Sequence, residues 1–290
     1  MAEALSKNVS AIRLLLIPAL FCVFLTVFTF VTAHSQGVSV NPTVMFYDEG
    51  NKSAHLSVTN SGTKSQEVWI DFKYGYTIVD DSGKPAVIVP DNLGPDDPSA
   101  AGWIRSFPPR FIIGAGESQV VRLVVTPPPG IPVGEYWARV LISSKDLNTA
   151  FAKGKAGVGT SFQMIVAKSI PFHYRTRACV TGLRLTKPIE YKDSASVLIV
   201  TVPLKREGNA SYWGELFARV LNSTGKPAAS QDFKLAVYKE IAYVIRIDKT
   251  TIPPGDYTLE LTAKTVRPEV KNSVLTKAVP VSWSSPVTIR

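Results

Sequence analysis

Few of the 290 residues are of types that do covalent or metal chemistry. The histidines are His34, His55 and His173, and the cysteines are Cys22 and Cys179. Neither His55 nor His173 has a second His, Cys or carboxylate at ligand spacing, so no metal is expected and no cofactor. The chain has no G-x-S-x-G elbow, phosphate loop or dinucleotide fingerprint. A thiol hydrolase would have to be assembled from Cys179 and His173. RACVTGL reads as a strand, where a buried structural thiol is the plainer reading, and no enzyme is expected.

The chemistry that does show a pattern belongs to the backbone. In VGTSFQMIVAKSIPFHYR, Val158 to Arg175, Phe162, Met164 and Val166 share one face of a strand, and Ser161, Gln163, Ile165 and Ala167 share the other. Two readings stay open. Such a face lines its own core, or an edge strand lends it to a neighbouring sandwich that lacks a strand, with main-chain hydrogen bonds supplying affinity.

The elements that must position this strand are all β. IPVGEYWARVLI, from Ile131, returns as IPPGDYTLELTA, from Ile252. In each copy Pro and Gly turn the chain into a strand that opens on a Tyr: Tyr136, Ala138, Val140 and Ile142 face one way in the first, Tyr257, Leu259, Leu261 and Ala263 in the second. A Tyr so placed ties the corner of an immunoglobulin-like sandwich through its hydroxyl, and two copies roughly a hundred residues apart predict two such β-sandwiches in tandem. The first should carry strands near Val38–Tyr47, Ala54–Asn60, Glu67–Tyr76, Ala86–Val89, Trp103–Ile113, Gln119–Thr126, Tyr136–Ser143 and Gly157–Tyr174. The second should carry Val180–Leu185, Ser196–Leu204, Gly214–Asn222, Phe233–Tyr238, Tyr243–Ile247, Tyr257–Lys264 and Leu275–Ile289. Asp91–Gly102 reads as a loop, and the join falls in His173–Ala178, too short for a flexible linker.

Ahead of these modules, Lys7 and Arg13 precede the apolar run Leu14–Ala33, with a small-residue exit at Ala33–Ser35. This order predicts a secretory signal peptide over 1–36 and a periplasmic protein; the run is also long enough to span a bilayer, so an uncleaved inner-membrane anchor is the alternative. Domains at 37–175 and 176–290 follow. Without the leader one cysteine remains, so both cores must stand without an internal disulfide. Net charge is +9 and is spread along the chain, which indicates no nucleic-acid stripe. No small-molecule substrate is indicated either.

GVSVNPTVMFYDEGNKSAHLSVTNSG, SQEVWIDF, SFPPRFIIGAGESQVVRL and IPVGEYWARVLISS, in that order, resemble blocks of the periplasmic pilus-assembly chaperones, the PapD-like family, over about Gly37 to Arg175. The second module matches only as an immunoglobulin-like domain. The resemblance implies a chaperone that binds incomplete pilin-like subunits by donor-strand addition in fimbrium biogenesis, in company with an outer-membrane usher. The donor residues would be Phe162, Met164 and Val166, and Glu135 and Arg175 would form a charged pair at the domain junction. The family holds its client's terminal carboxylate on two cations, but Val44 and Pro171 stand at those positions, which leaves Lys168 and Arg177 as candidate replacements. The competing expectation is a structural or adhesion scaffold at the cell envelope.

Overall fold

The computed structural model describes residues 37–80, 83–147, 152–153, 159–160 and 164–290. The leader and Phe162 lie outside the described residues. Two β-sandwiches follow one another, each with its own apolar core.

The first sandwich packs a sheet of β1 (Val38–Asn41), β3 (Ser53–Asn60), β9 (Ser118–Val125) and β7 (Ile104–Phe107) on a sheet of β2 (Met45–Asp48), β13 (Ile165–Arg175), β10 (Glu135–Asp146), β4 (Gln66–Lys73) and β8 (Arg110–Ile113), in those spatial orders. Alternation fills the space between them: Leu56 and Val58, Val121 and Leu123, Val140 and Ile142, and Phe172 and Tyr174 all point inward. Two stretches expected as single strands are each split between the sheets. Val38–Tyr47 divides at Pro42 into β1 and β2, and Trp103–Ile113 divides at Pro108 and Pro109 into β7 and β8. Proline has no N–H for a ladder, so the chain changes partners there.

Glu67–Tyr76 divides as well. After β4 the chain makes a separate hairpin, β5 (Tyr76–Val79) with β6 (Pro85–Ile88). This hairpin leaves the first sandwich and lies on the second, where Ile78 and Val79 pack against its core. At its tip Gly83 has φ +82° and sits so close that an added Cβ would meet the Val244 carbonyl oxygen at 3.0 Å. The short pair β11 (Ala152–Lys153) and β12 (Gly159–Thr160) precedes β13, which begins at Ile165, later than the expected Gly157.

In the second sandwich β16 (Val197–Gly208) pairs with β14 (Thr181–Leu185), β15 (Glu190–Asp193) and β19 (Glu240–Asp248). The facing sheet runs β18 (Pro227–Val237), β17 (Tyr212–Leu221), β20 (Gly255–Lys264) and β21 (Val281–Ile289). β15 was not expected, because EYKD exposes three of its four side chains and shows no buried face. β21 starts at Val281 instead of Leu275.

The repeated turn is a tyrosine corner twice over. Tyr136 donates its hydroxyl to the Pro132 carbonyl at 2.8 Å, and Tyr257 donates to the Pro253 carbonyl at 2.9 Å. The neighbouring acidic residues part company: Asp256 is exposed and accepts from Thr288, whereas Glu135 is buried at the join.

Candidate functional site: a buried carboxylate at the join and an open strand edge

The tyrosine corner aims β10 so that Glu135 enters the gap between the sandwiches, with 2% of its surface exposed. Its carboxylate collects donors from both. Arg175 Nε lies 2.5 Å from Oε2; Trp137 Nε1 donates to Oε1 at 2.8 Å, and the Ser211 backbone N–H does so at 3.1 Å, joined by the Ser211 hydroxyl. His173 Nδ1 is 3.1 Å from Oε1, and its Nε2 is 3.2 Å from the Tyr238 hydroxyl. These partners assign the imidazole as neutral, donating at Nδ1 and accepting at Nε2.

Burial works to raise the Glu135 carboxyl, but His173, Arg175 and Ser211 outweigh it and hold the group well below the usual carboxylate range. Burial pushes His173 down, against the pull of Glu135. Both groups therefore favour the unfolded chain as protons are added. For each, the folded pKa lies below the unfolded one, so the stability it contributes is full above the unfolded value and is lost as pH falls. Urea midpoints are expected to drop below about pH 6.5, where free histidine titrates, and further below about pH 4.5. A His173→Gln variant should lose the first of these declines and keep the second.

Aromatic rings close the join around these charges. Tyr74 and Trp137 from the first sandwich share one apolar cluster with Trp213, Tyr238, Val270 and Leu275 from the second. Phe46 stacks on His173 with ring centroids 4.7 Å apart and carries the Arg175 guanidinium 4.5 Å above its own ring. On the other side of the cluster Asp97 accepts from Tyr74 at 3.0 Å and from Lys239 of the second sandwich at 2.7 Å.

Ser211, His173 and Glu135 have the residue types of a hydrolytic triad but not its wiring. Ser211 donates to the carboxylate and not to the imidazole, and all three are buried. Cys179 donates to the Thr176 carbonyl at 3.4 Å, burial raises its thiol, and both nitrogens of His173 are engaged elsewhere. Among the described residues no cluster of His, Cys, Asp and Glu could hold a metal.

The second feature is the outer edge of β13. β13 pairs with β10 along its whole length, from Ile165↔Lys145 to Arg175↔Glu135, whereas its other neighbour β2 covers only Phe172 to Arg175. Among the described residues the edge from Ile165 to Pro171 is unpaired. The phase of its hydrogen bonds follows from β10. Glu135 N donates to the Asn209 carbonyl, Trp137 N donates to Pro98, and Trp137 accepts from Ala100 N, so these odd-numbered residues turn their backbone groups away from β13. By the alternation of an antiparallel ladder, their partners down the strand, Pro171, Ser169, Ala167 and Ile165, turn theirs onto the open edge. Pro171 sits in this phase, where its missing N–H breaks no bond to β10.

The residues singled out from the sequence fall at different places. Met164 is 59% exposed and Ile165 57%. Val166 is half-buried, with its Cγ1 3.5 Å from where a Cβ on Gly37 would lie. Lys168 is exposed and faces the core side beside Ile142. Arg177 is an exposed partner of Glu49 at 2.9 Å. Roughly 23 Å of strand separates Lys168 from Arg175, so Lys168 and Arg177 do not converge on one carboxylate. Glu135 and Arg175 do meet, in a buried contact and not as a solvated pair. Val44 packs at the edge of the junction cluster.

No protein-family model matches the sequence, and no curated protein matches it. Among solved structures the chain is similar to the YadV chaperone, with 14% identity and a TM-score of 0.39 over 86% of this chain and 99% of that one. It is similar to the E. coli chaperone DraB at 13% identity and a TM-score of 0.40, covering 88% and 97%. A third likeness is to the CsuC–CsuE chaperone–tip adhesion subunit pre-assembly complex of Acinetobacter baumannii, at 17% identity and a TM-score of 0.39, covering 87% and 98%. With identities this low and TM-scores below 0.5, the functional reading rests on the chain's own residues.

Proposed function

We propose that this is an exported, non-enzymatic chaperone of the cell envelope. It holds an incomplete, pilin-like sandwich subunit by adding a strand along the open edge of β13, and passes that subunit on toward an outer-membrane usher. The observation that supports the reading is the edge itself: no strand pairs with Ile165 to Pro171 on that side among the described residues, while the opposite edge is fully paired to β10. Exposed edges of this kind are normally blunted or covered in a protein that stands alone. Here Met164 and Ile165 leave apolar side chains in water at its start. The backbone supplies affinity, and these side chains select what sits on it. The domains at 37–175 and 176–290 meet at the Glu135 cluster, which sets the angle between them.

The test is Ala167→Pro. Residue 167 presents its N–H to the open edge, so proline there removes a bond to an added strand and none to β10. Intact protein purified from envelope extracts is expected to carry a secreted sandwich subunit, identified by mass spectrometry, and the variant to lose it by at least about tenfold while its unfolding free energy, measured in urea, changes by less than about 1 kcal/mol. Equal capture by both forms would sink strand addition at this edge. No partner on either form would favour a scaffold made of two sandwiches.

A further inference from the structure

His173 is fully buried in the join, and its surroundings have no place for a second ring proton. Four donors already share the Glu135 oxygen that it faces: Trp137 Nε1, the Ser211 backbone N–H, the Ser211 hydroxyl and His173 Nδ1 itself. The other ring nitrogen accepts from the Tyr238 hydroxyl. Were that nitrogen protonated, two hydrogens would meet between ring and hydroxyl. The tyrosine hydrogen would have to turn elsewhere, and beside it lies Trp213 Nε1, a buried donor with no acceptor of its own. One N–H or O–H is then left unmatched in a dry site, at far greater cost than in water.

The charges around the ring act the same way. From its own strand and from β10 come the Arg175 and Arg139 guanidiniums, against the carboxylate of Glu135. Arg139 is 4% exposed and pairs with no carboxylate among the described residues. Its Nε donates to Ser169 Oγ at 2.9 Å under the root of the β5–β6 hairpin, where a Cβ on Gly75 would lie 2.9 Å from its Cγ. β2 brings Phe46, and its carboxylate, Asp48, caps its own turn at Gly50 and Asn51. Across the join Arg206 donates to the Tyr238 carbonyl at 2.7 Å, and Arg267 lies 5.1 Å from the Trp213 ring with Glu269 as its partner. Glu215, next on that face of β17, stands between Lys234 and Lys264 in the ladder. Lys239, beside Tyr238, is taken by Asp97. An imidazolium here joins an excess of cations.

What relieves the site follows from which sandwich owns each contact. Ser211, Trp213 and Tyr238 close over the ring from the second sandwich, and Glu135, Arg175 and Phe46 hold it from the first. Neither sandwich core includes any of the six. Drawing the second sandwich back lets water reach the ring and leaves both cores closed. The link from Asp97 to Lys239, and the seat of Ile78 and Val79 on the second core, contain no histidine. Lys239 holds Asp97 below the ordinary carboxylate range, so these contacts survive mild acid.

We infer that His173 is a proton-operated clasp: neutral, it fixes the second sandwich against the first; protonated, it lets them part at the Glu135 cluster while each stays folded. The inference goes beyond strand addition and does not depend on it. Closed, the ring is held by burial below its usual range; opened to water, it is an ordinary histidine titrating at about 6.5. Opening therefore takes up a proton, and the open-to-closed ratio rises as pH falls below that value, by up to about tenfold per unit. Glu135 adds to this only below its own ordinary value of 4.5.

The test places spin labels at Thr63 and Ser223, exposed turns at the ends of the two sandwiches away from the join, after both native thiols are removed as Cys22→Ser and Cys179→Ser. Pulsed electron resonance is expected to give one distance at about pH 7.5 and a second, broader population at about pH 5.5, with the circular dichroism of the strands unchanged. In His173→Gln the single distance should persist at both. The His173 ring, followed by NMR with exposed His55 as reference, should titrate where the second population grows. That coincidence decides the matter should the glutamine variant be open throughout or fail to fold. A distance that stays single while the ring takes up its proton overturns the inference, and so does acid opening that persists in folded His173→Gln. Loss of strand signal together with the distance would mean that acid unfolds the chain, and the clasp falls. None of these readings involves a client, so they are decided separately from strand addition.

Discussion

Replacing Glu135 by alanine is expected to cost about 3–5 kcal/mol of unfolding free energy, because it strands the Arg175 cation in the join and leaves the Trp137 and Ser211 donors without an acceptor. The loss should appear in urea titrations followed by tryptophan fluorescence, since Trp137 and Trp213 both line the cluster that Glu135 organises. The second expectation concerns its origin. If the cost comes from the abandoned charge and not from lost packing, Glu135→Leu combined with Arg175→Met should recover a large part of what either single variant loses. A double variant that simply adds the two losses would mean that the pair does not act as a unit. The single variants should also separate the unfolding of the two sandwiches, which share one apolar cluster and in the intact protein are expected to melt together.

The other large effect is expected from Lys168→Pro, one residue along from the substitution that tests strand addition. Residue 168 is in the opposite phase of the ladder. Its partner is Ile142, and by alternation its N–H faces β10 and not the open edge. Proline there leaves the buried Ile142 carbonyl without its donor, a cost of about 1–3 kcal/mol. So neighbouring prolines should do different things. At 167 stability holds and the partner is lost; at 168 stability falls first. Denaturation of both variants side by side measures the phase directly. The reverse outcome, a stable 168 variant and an unstable 167 variant, would place the free edge on the wrong set of residues.

What could be read without coordinates was what depends on close neighbours in the chain. Both tyrosine corners were legible because the hydroxyl and its carbonyl partner are four residues apart, Tyr136 with Pro132 and Tyr257 with Pro253. The alternation of Val140 and Ile142, or of Leu259 and Leu261, marks their buried face just as locally. Strand breaks at Pro42 and at Pro108 were visible as prolines but not as changes of sheet, since nothing local says which partner the chain takes up next. The join was half legible. Glu135 and Arg175 were named through the family resemblance, whereas Ser211 and Tyr238 reach the same cluster from 76 and 65 residues away. Their residue types alone give no hint of that meeting. Arg139 was missed because it lies in a run, YWARVLI, whose alternation marks Ala138 and Val140 as core and leaves its own position looking like surface. Only the register with Pro171 and the covering hairpin show that its charge is held out of water.

The β5–β6 hairpin turns the pair of sandwiches into a caliper. A joint pinned at one point swivels; one pinned at two separated points does not. The Glu135 cluster is the first pin, and Gly83 seated on Val244, with Ile78 and Val79 against the second core, is the other. Opening the jaws about either pin strains the other, so the gap beside β13 has a set width. Under the strand-addition proposal, the expected consequence is that a client is gauged by thickness as well as by sequence, so that a subunit too bulky for the gap fails to reach the edge.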